Sequence, residues 1–92
     1  MSWTVAVHAD ARKYLTQIPW NDAKRIERIL VEFERSPFGG DREKMEGERN
    51  VWRRRIGTYR IFYEVRTEQH TIFVFRIERR ASSTYSLLNS SF

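Results

Sequence analysis

Between Arg49 and Arg60 the chain carries five arginines and no carboxylate. Arg53, Arg54 and Arg55 are consecutive, and Arg60 follows just beyond Gly57-Thr58. Guanidinium groups gathered in this way suit the binding of an anion with paired oxygens. The planar fork donates two parallel hydrogen bonds to a phosphate and stays charged at any working pH. A phosphodiester backbone is the natural ligand. Cleavage of RNA would need a base for the 2′-hydroxyl, positive charge on the pentavalent phosphorane, and an acid for the departing 5′-oxygen. Arginines serve the second task well. They serve the first badly, because a guanidinium pKa above about 12 holds its proton. Arg79 and Tyr85, late in the chain, are further candidates for such a site. The plain alternative is a solvated basic face with no task.

These side chains need a scaffold, and its first part is a hairpin. Gly57-Thr58 suits a two-residue turn, since glycine accepts the positive φ that such turns require. With that loop, Ile56 faces Tyr59, Arg55 faces Arg60, Arg53 faces Phe62 and Trp52 faces Tyr63. Opposed residues point to one side of a sheet and successive residues alternate. Trp52, Ile56, Tyr59, Ile61, Tyr63 and Val65 therefore share a buried face. Arg53, Arg55 and Arg60 share the other face with Phe62. Arg54 has the parity of the apolar set, so it either snorkels from the sheet edge or is re-aimed by a bulge.

The remaining elements follow from periodicity. Trp3 to Val7 alternates as a short strand. Ala11, Tyr14, Leu15 and Ile18 form one helical stripe, with Asp10 as its expected cap and Pro19 as its end. Asn21 is the expected cap of a second helix with Ala23, Ile26, Ile29, Leu30 and Phe33 on its apolar side. Ser36-Pro37-Phe38-Gly39-Gly40 stops it. Residues 41–48 read as an irregular segment anchored in the core by Met45. Thr71 to Arg79 is a long strand that is apolar on both sides, as interior strands are. Ala81 onward reads as a short C-terminal helix or a tail. The fold class is α+β, in the order β-α-α-β-β-β. A helical hairpin packs on one face of a curved, mainly antiparallel four-stranded sheet, and the arginines occupy the other. If Phe73, Phe75 and Ile77 are core, Arg76 and Glu78 point to the arginine face and Arg79 does not. Arg76 is then a competitor for the role of Arg79.

Composition bounds the function. The chain has 92 residues, enough for one domain. Six Phe, four Tyr and three Trp supply a core, and the absence of Cys excludes disulfides and thiolate metal sites. His8 and His70 have no partner at ligand spacing, so neither a metal nor a cofactor is expected. No apolar run is long enough for a membrane span, and a cytoplasmic protein is expected. A formal net charge of +5 favours a polyanionic partner, nucleic acid or acidic protein.

With these residues in view, the chain resembles the RelE/ParE superfamily of type II toxins across nearly its full length. The resemblance rests on Ser36 to Gly40, on Trp52 to Val65 with its Arg-x-Gly-x-Tyr-Arg-x-x-Tyr core from Arg55 to Tyr63, and on the last strand ending in Arg79-Arg80 ahead of Tyr85. It implies a single RelE-like toxin domain over 1–92. The RelE branch is a metal-independent endoribonuclease that enters the ribosomal A site and cuts mRNA there. On that model the catalytic residues are Arg53, Arg55, Arg60, Arg79 and Tyr85, and the resemblance favours Arg79 over Arg76. Two family lysines are replaced by Arg53 and Arg55, and Ala81 stands where other members carry an arginine. A sister branch uses a glutamate ahead of the hairpin, which makes Glu43 the possible general base. The resemblance also implies a cognate antitoxin laid over the basic face and helical hairpin. The resulting complex would bind operator DNA mainly through the antitoxin. The alternative within the superfamily is a ParE-like toxin that binds gyrase and cuts nothing.

Overall fold

The computed structural model describes residues 2–79. Seven elements follow in the order β1 (Thr4–Val7), α1 (Ala9–Leu15), α2 (Trp20–Arg35), β2 (Arg42–Lys44), β3 (Val51–Ile56), β4 (Tyr59–Arg66) and β5 (Thr71–Arg79). They form one open five-stranded sheet, ordered β1-β5-β4-β3-β2, with the two helices against one face. Only the β1–β5 pairing is parallel. The expected C-terminal helix, with Arg80 and Tyr85, lies outside the described residues.

The extra strand is β2, in the segment expected to be irregular. Its three residues pair with β3 at the sheet edge, too short a run for alternation to show. Met45, the expected core anchor, is only half-buried and stands outside the core cluster.

The helix starts also differ from expectation. His8 caps α1, its Nδ1 accepting from the backbone N–H of Asp10 at 3.0 Å. Asp10 itself sits in the first turn, where a carboxylate suits the positive end of the helix. The Thr16 hydroxyl donates to the Lys13 carbonyl at 2.6 Å and closes the helix three residues before Pro19. In α2 Pro19 takes the cap position with φ −55°, and Asn21 lies inside the first turn.

The core is the one expected except for Met45, Phe73 and Phe75. Ala11, Ile26, Ile29 and Phe33 from the helices meet Tyr59, Ile61, Tyr63, Val65, Ile72, Val74 and Ile77 from β4 and β5. Phe33 and Tyr63 are in ring contact at 4.5 Å, and the Tyr63 hydroxyl donates to the Pro37 carbonyl at 2.9 Å. Buried Pro37 thereby ties the loop after α2 to the middle of β4.

The hairpin has the expected register, from Trp52↔Tyr63 to Ile56↔Tyr59. Arg54 accordingly points to the helix side. It is 9% exposed and reaches the Glu32 carboxylate at 3.3 Å, so it snorkels rather than flips. Gly40, at φ +71°, passes against its guanidinium, where a Cβ would collide.

In β5 the register against β4 shifts at Phe62/Tyr63, so that Tyr63 opposes Val74 while Phe62 opposes Arg76. Phe75 is the extra residue. Ile72, Val74 and Ile77 are buried, whereas on the opposite face Phe75 makes ring contacts with both Phe73 and Phe62. Phe73 and Phe75 are therefore not core, contrary to the alternation expected. The bulge nevertheless returns Ile77 to the core, so Arg76 and Glu78 point to the arginine face.

Candidate functional site

Cross-strand pairing carries the arginines into two rows on the face away from the helices. In the first, Glu43, Arg53, Phe62 and Arg76 lie opposite one another across β2, β3, β4 and β5. In the second, Arg55, Arg60 and Glu78 lie opposite one another across β3, β4 and β5. Asp41 extends this row, since its carbonyl accepts from the Arg55 backbone N–H at 2.9 Å. The period-two alternation of the strands is the reason one face collects them all.

Each of these arginines has a carboxylate partner: Arg53, Arg55 and Arg60 from another strand or the segment leading into β2, and Arg76 from its own strand. Arg53 is ion-paired with Glu43. Arg55 donates through Nε and Nη2 to both oxygens of Asp41, at 3.1 and 3.2 Å. Glu78 lies between two cations, 2.8 Å from Arg76 and 4.0 Å from Arg60. The hairpin, free of carboxylates through Arg60 in sequence, is thus supplied with them from both sides. Four arginines against Asp41, Glu43 and Glu78 leave one net positive charge here, four minus three.

The partners differ in exposure. Glu43 and Asp41, the partners of Arg53 and Arg55, are 60% and 61% exposed, whereas Glu78, the partner of Arg60, is 29% exposed. Ion pairs with exposed carboxylates are worth at most about 1 kcal/mol. They orient the guanidinium forks without locking them, and a phosphate can displace them. The Asp41 hydrogen bond, and then its charge, raise the Arg55 pKa further. Arg53 Nε is buried and has no acceptor among the described residues.

Arg53, Arg55, Arg60 and Glu43 are thus on one face. Arg79 is not. It pairs with Tyr59, whose ring is buried on the helix side, and its guanidinium lies 5.9 Å from that ring centroid. Parity is the cause: with Ile77 in the core, Glu78 points out and Arg79 points back. Arg76 takes the outward position, over the ring of Phe62 at 5.8 Å. Tyr85 lies outside the described residues. Asp41 was missed as a partner because no periodic signal precedes a three-residue edge strand.

The helix-side surface has its own exposed apolar residues. Trp20 and Val31 on α2 are 70% and 61% exposed. With Lys24 and Arg28 they line a shallow basic groove, and Lys24 Nζ lies 5.5 Å from the Trp20 ring centroid.

The model of a family described as the ParE toxin of type II toxin–antitoxin systems matches residues 2–83. The protein named as toxin RelE1 of Methanocaldococcus jannaschii is 25% identical over 83 residues, covering 87% of this chain and 92% of that one. The toxin fold of the archaeal RelE–RelB complex from Pyrococcus horikoshii superposes with a TM-score of 0.79 at 26% identity, over 87% of this chain and 97% of that chain. The RelB–RelE antitoxin–toxin complex from Methanococcus jannaschii gives 0.71 at 28% identity, over 89% and 96%.

Proposed function

This chain belongs to the ParE toxin family of type II toxin–antitoxin systems, within the RelE/ParE superfamily, and we propose that it arrests translation as a ribosome-dependent endoribonuclease cutting mRNA in the A site. The observation that carries this reading is the placement of Glu43, Arg53 and Arg60 together on the sheet face away from the helices.

In the mechanism proposed, the scissile phosphate takes the forks of Arg53 and Arg60 and displaces Glu43 from Arg53. The freed carboxylate accepts the 2′-hydroxyl proton. The 2′-oxygen attacks phosphorus, and Arg53 and Arg60 carry the charge that grows on the phosphorane. The 5′-oxygen leaves, its charge opposed by Arg76 and its proton drawn from solvent, and a 2′,3′-cyclic phosphate remains. Arg55, tied to Asp41, holds the row in register. Tyr85 retains the role of stacking on or orienting a base. Arg79 supports the fold from the helix side in place of the leaving-group role that the resemblance gave it.

The partner of this toxin is a cognate antitoxin, as in the Pyrococcus and Methanococcus complexes. An acidic and apolar antitoxin segment suits both the arginine rows and the Trp20–Val31 groove. Operator DNA would be reached through that complex. The toxin acts as one domain spanning 1–92, in the cytoplasm where ribosomes translate. Among the described residues no helix is long and apolar enough to cross a membrane.

Primer extension on a translated mRNA tests the reading, with ribosomes omitted in a parallel reaction. New 5′ ends at the A-site codon, seen only with ribosomes, are the expected result. The placement of Arg79 away from the rows, and the description of the matched family, favour one second reading: a gyrase-binding toxin without nuclease activity. Growth arrest with intact mRNA would select it.

A further inference from the structure

Three phenylalanines stand on the face that carries the arginines. Phe62 and Phe75 have ring centroids 6.3 Å apart, and Phe75 and Phe73 lie 6.4 Å apart with planes 27° from parallel. The helices cover the other side of the sheet, and among the described residues no element packs across this one. Phe62 is buried between Arg53 and Arg76, which oppose it on its two neighbouring strands. Phe73 and Phe75 are half-buried.

The bulge at Phe75 makes the arrangement pointed. Alternation run back unbroken from Ile77 would turn both Phe73 and Phe75 to the helix side; the bulge keeps them outward while Ile72 and Val74 stay buried. Phe73 and Phe75 keep part of their surface open on a face that no described element covers, and an apolar patch set among cations signals a ligand. The surroundings state its chemistry. Arg76 lies over Phe62, and Arg66 lies over Phe73 at 4.7 Å. Aromatic faces interleaved with guanidinium groups hold unpaired nucleotides, with bases stacked on rings and phosphates on cations. Arg60 and Phe62 are two residues apart on β4, about 6.8 Å along the strand. A phosphate held by Arg60 and Arg53 therefore places an adjoining base toward Phe62 and Phe75.

We propose that Phe75 and Phe73, with the buried ring of Phe62 beneath them, form a stacking strip for one or two unpaired RNA bases next to the phosphate held by Arg53 and Arg60. This rests on the phosphodiester reading of the arginine rows and adds a base-binding subsite to the role proposed for Tyr85. Stacking on π-faces tolerates any base, so the strip adds affinity and orientation rather than sequence choice.

The test uses the purified full chain and three probes of matched charge: a short single-stranded RNA, the abasic ribose-phosphate oligomer, and an acidic aliphatic peptide. The expected result is tighter binding of the RNA than of the abasic oligomer, by roughly five- to a hundred-fold. The ring protons of Phe73 and Phe75 should move upfield in NMR spectra as RNA is added. Phe75→Leu keeps apolar bulk but loses the π-face, and should abolish most of the preference without changing the salt dependence. Arg60→Gln should reduce the salt slope by about one and leave the preference. Equal binding of RNA and abasic oligomer, with silent rings, overturns the strip and leaves the phosphate reading standing. Retention of the preference in Phe75→Leu also overturns it. Binding of the peptide as tightly as the RNA marks a protein-docking face and overturns it too. Binding of neither oligomer overturns the strip and the phosphate reading together.

Discussion

Glu43 lies directly opposite Arg53, and their side chains form an ion pair on the sheet face away from the helices. The pairing joins the candidate base to the candidate phosphate ligand. A phosphate that takes Arg53 releases Glu43 next to the ribose it must deprotonate. Glu43→Gln should retain binding to programmed ribosomes, since it removes a competing carboxylate. It should lose cleavage by about 10²–10⁴-fold, the usual contribution of a general base. Single-turnover cleavage and ribosome co-sedimentation measure the two effects separately. Cleavage within about tenfold of the parent would remove Glu43 from the mechanism.

Arg54 separates structural from functional arginines within one triplet. Its side chain is 10% exposed, its Nε is buried with no partner among the described residues, and its Glu32 partner is 54% exposed. Arg54→Met retains the packing of the stem and removes a costly buried charge. It should leave the melting temperature unchanged or raised and toxicity intact. Arg54→Ala should destabilise by about 2 kcal/mol through the cavity it leaves. Thermal melts and growth arrest on induction check both substitutions. A loss of toxicity in a stable Arg54→Met protein would place Arg54 in the site.

Much of this was legible in the sequence where two constraints coincided. Gly57-Thr58 set the loop length and the period of two did the rest, so every hairpin pair from Trp52 to Tyr63 follows. Elsewhere one constraint acted alone. The run Ile72 to Phe75 is apolar throughout, so alternation could not say which residues face the helices, and the bulge went unseen. Strand β2 is three residues long, and Glu43 within it and Asp41 just before it reach arginines that lie 10 and 14 positions away. Arg79 illustrates the limits of resemblance. Residue parity and family likeness disagreed about it, and the β5 register places it with Tyr59.

Burial raises the pKa of Tyr14, Tyr59 and Tyr63 above the ordinary tyrosine value of 10.0; for Tyr59 the hydrogen bond to Asp22 adds to it. The folded state therefore keeps these phenolic protons at pH values where the unfolded chain loses them. The unfolded chain then binds fewer protons, so stability falls as pH rises. The contribution is complete below pH 10 and is lost as pH climbs through the raised values. Melting temperature should accordingly fall more steeply above pH 10 than in Tyr59→Phe. That variant also loses the 2.8 Å bond to Asp22, at about 1.5 kcal/mol near neutral pH. Melts between pH 8 and 11 would show the slope, and identical slopes in parent and variant would refute the linkage.

The opposite facings of Arg60 and Arg79 give the sharpest functional prediction. Arg60 stands in the outer row between Arg55 and Glu78, while Arg79 lies beyond Tyr59 on the helix side. If the outer rows perform cleavage, Arg60→Gln should reduce the single-turnover rate on ribosomes by about 10²–10³-fold, as removal of a transition-state charge partner does. Arg76→Gln should cost about tenfold, since its charge acts only on the departing oxygen. Arg79→Gln should cost less than either, with its effect in the melting temperature rather than the rate. The reverse order, Arg79 essential and Arg60 dispensable, would require the end of β5 to turn over in the ribosome-bound state and would undo the site as drawn. Full growth arrest by all three variants, with mRNA intact, would move the action of the toxin from the ribosome to gyrase. The arginine rows would then be a surface for protein contact.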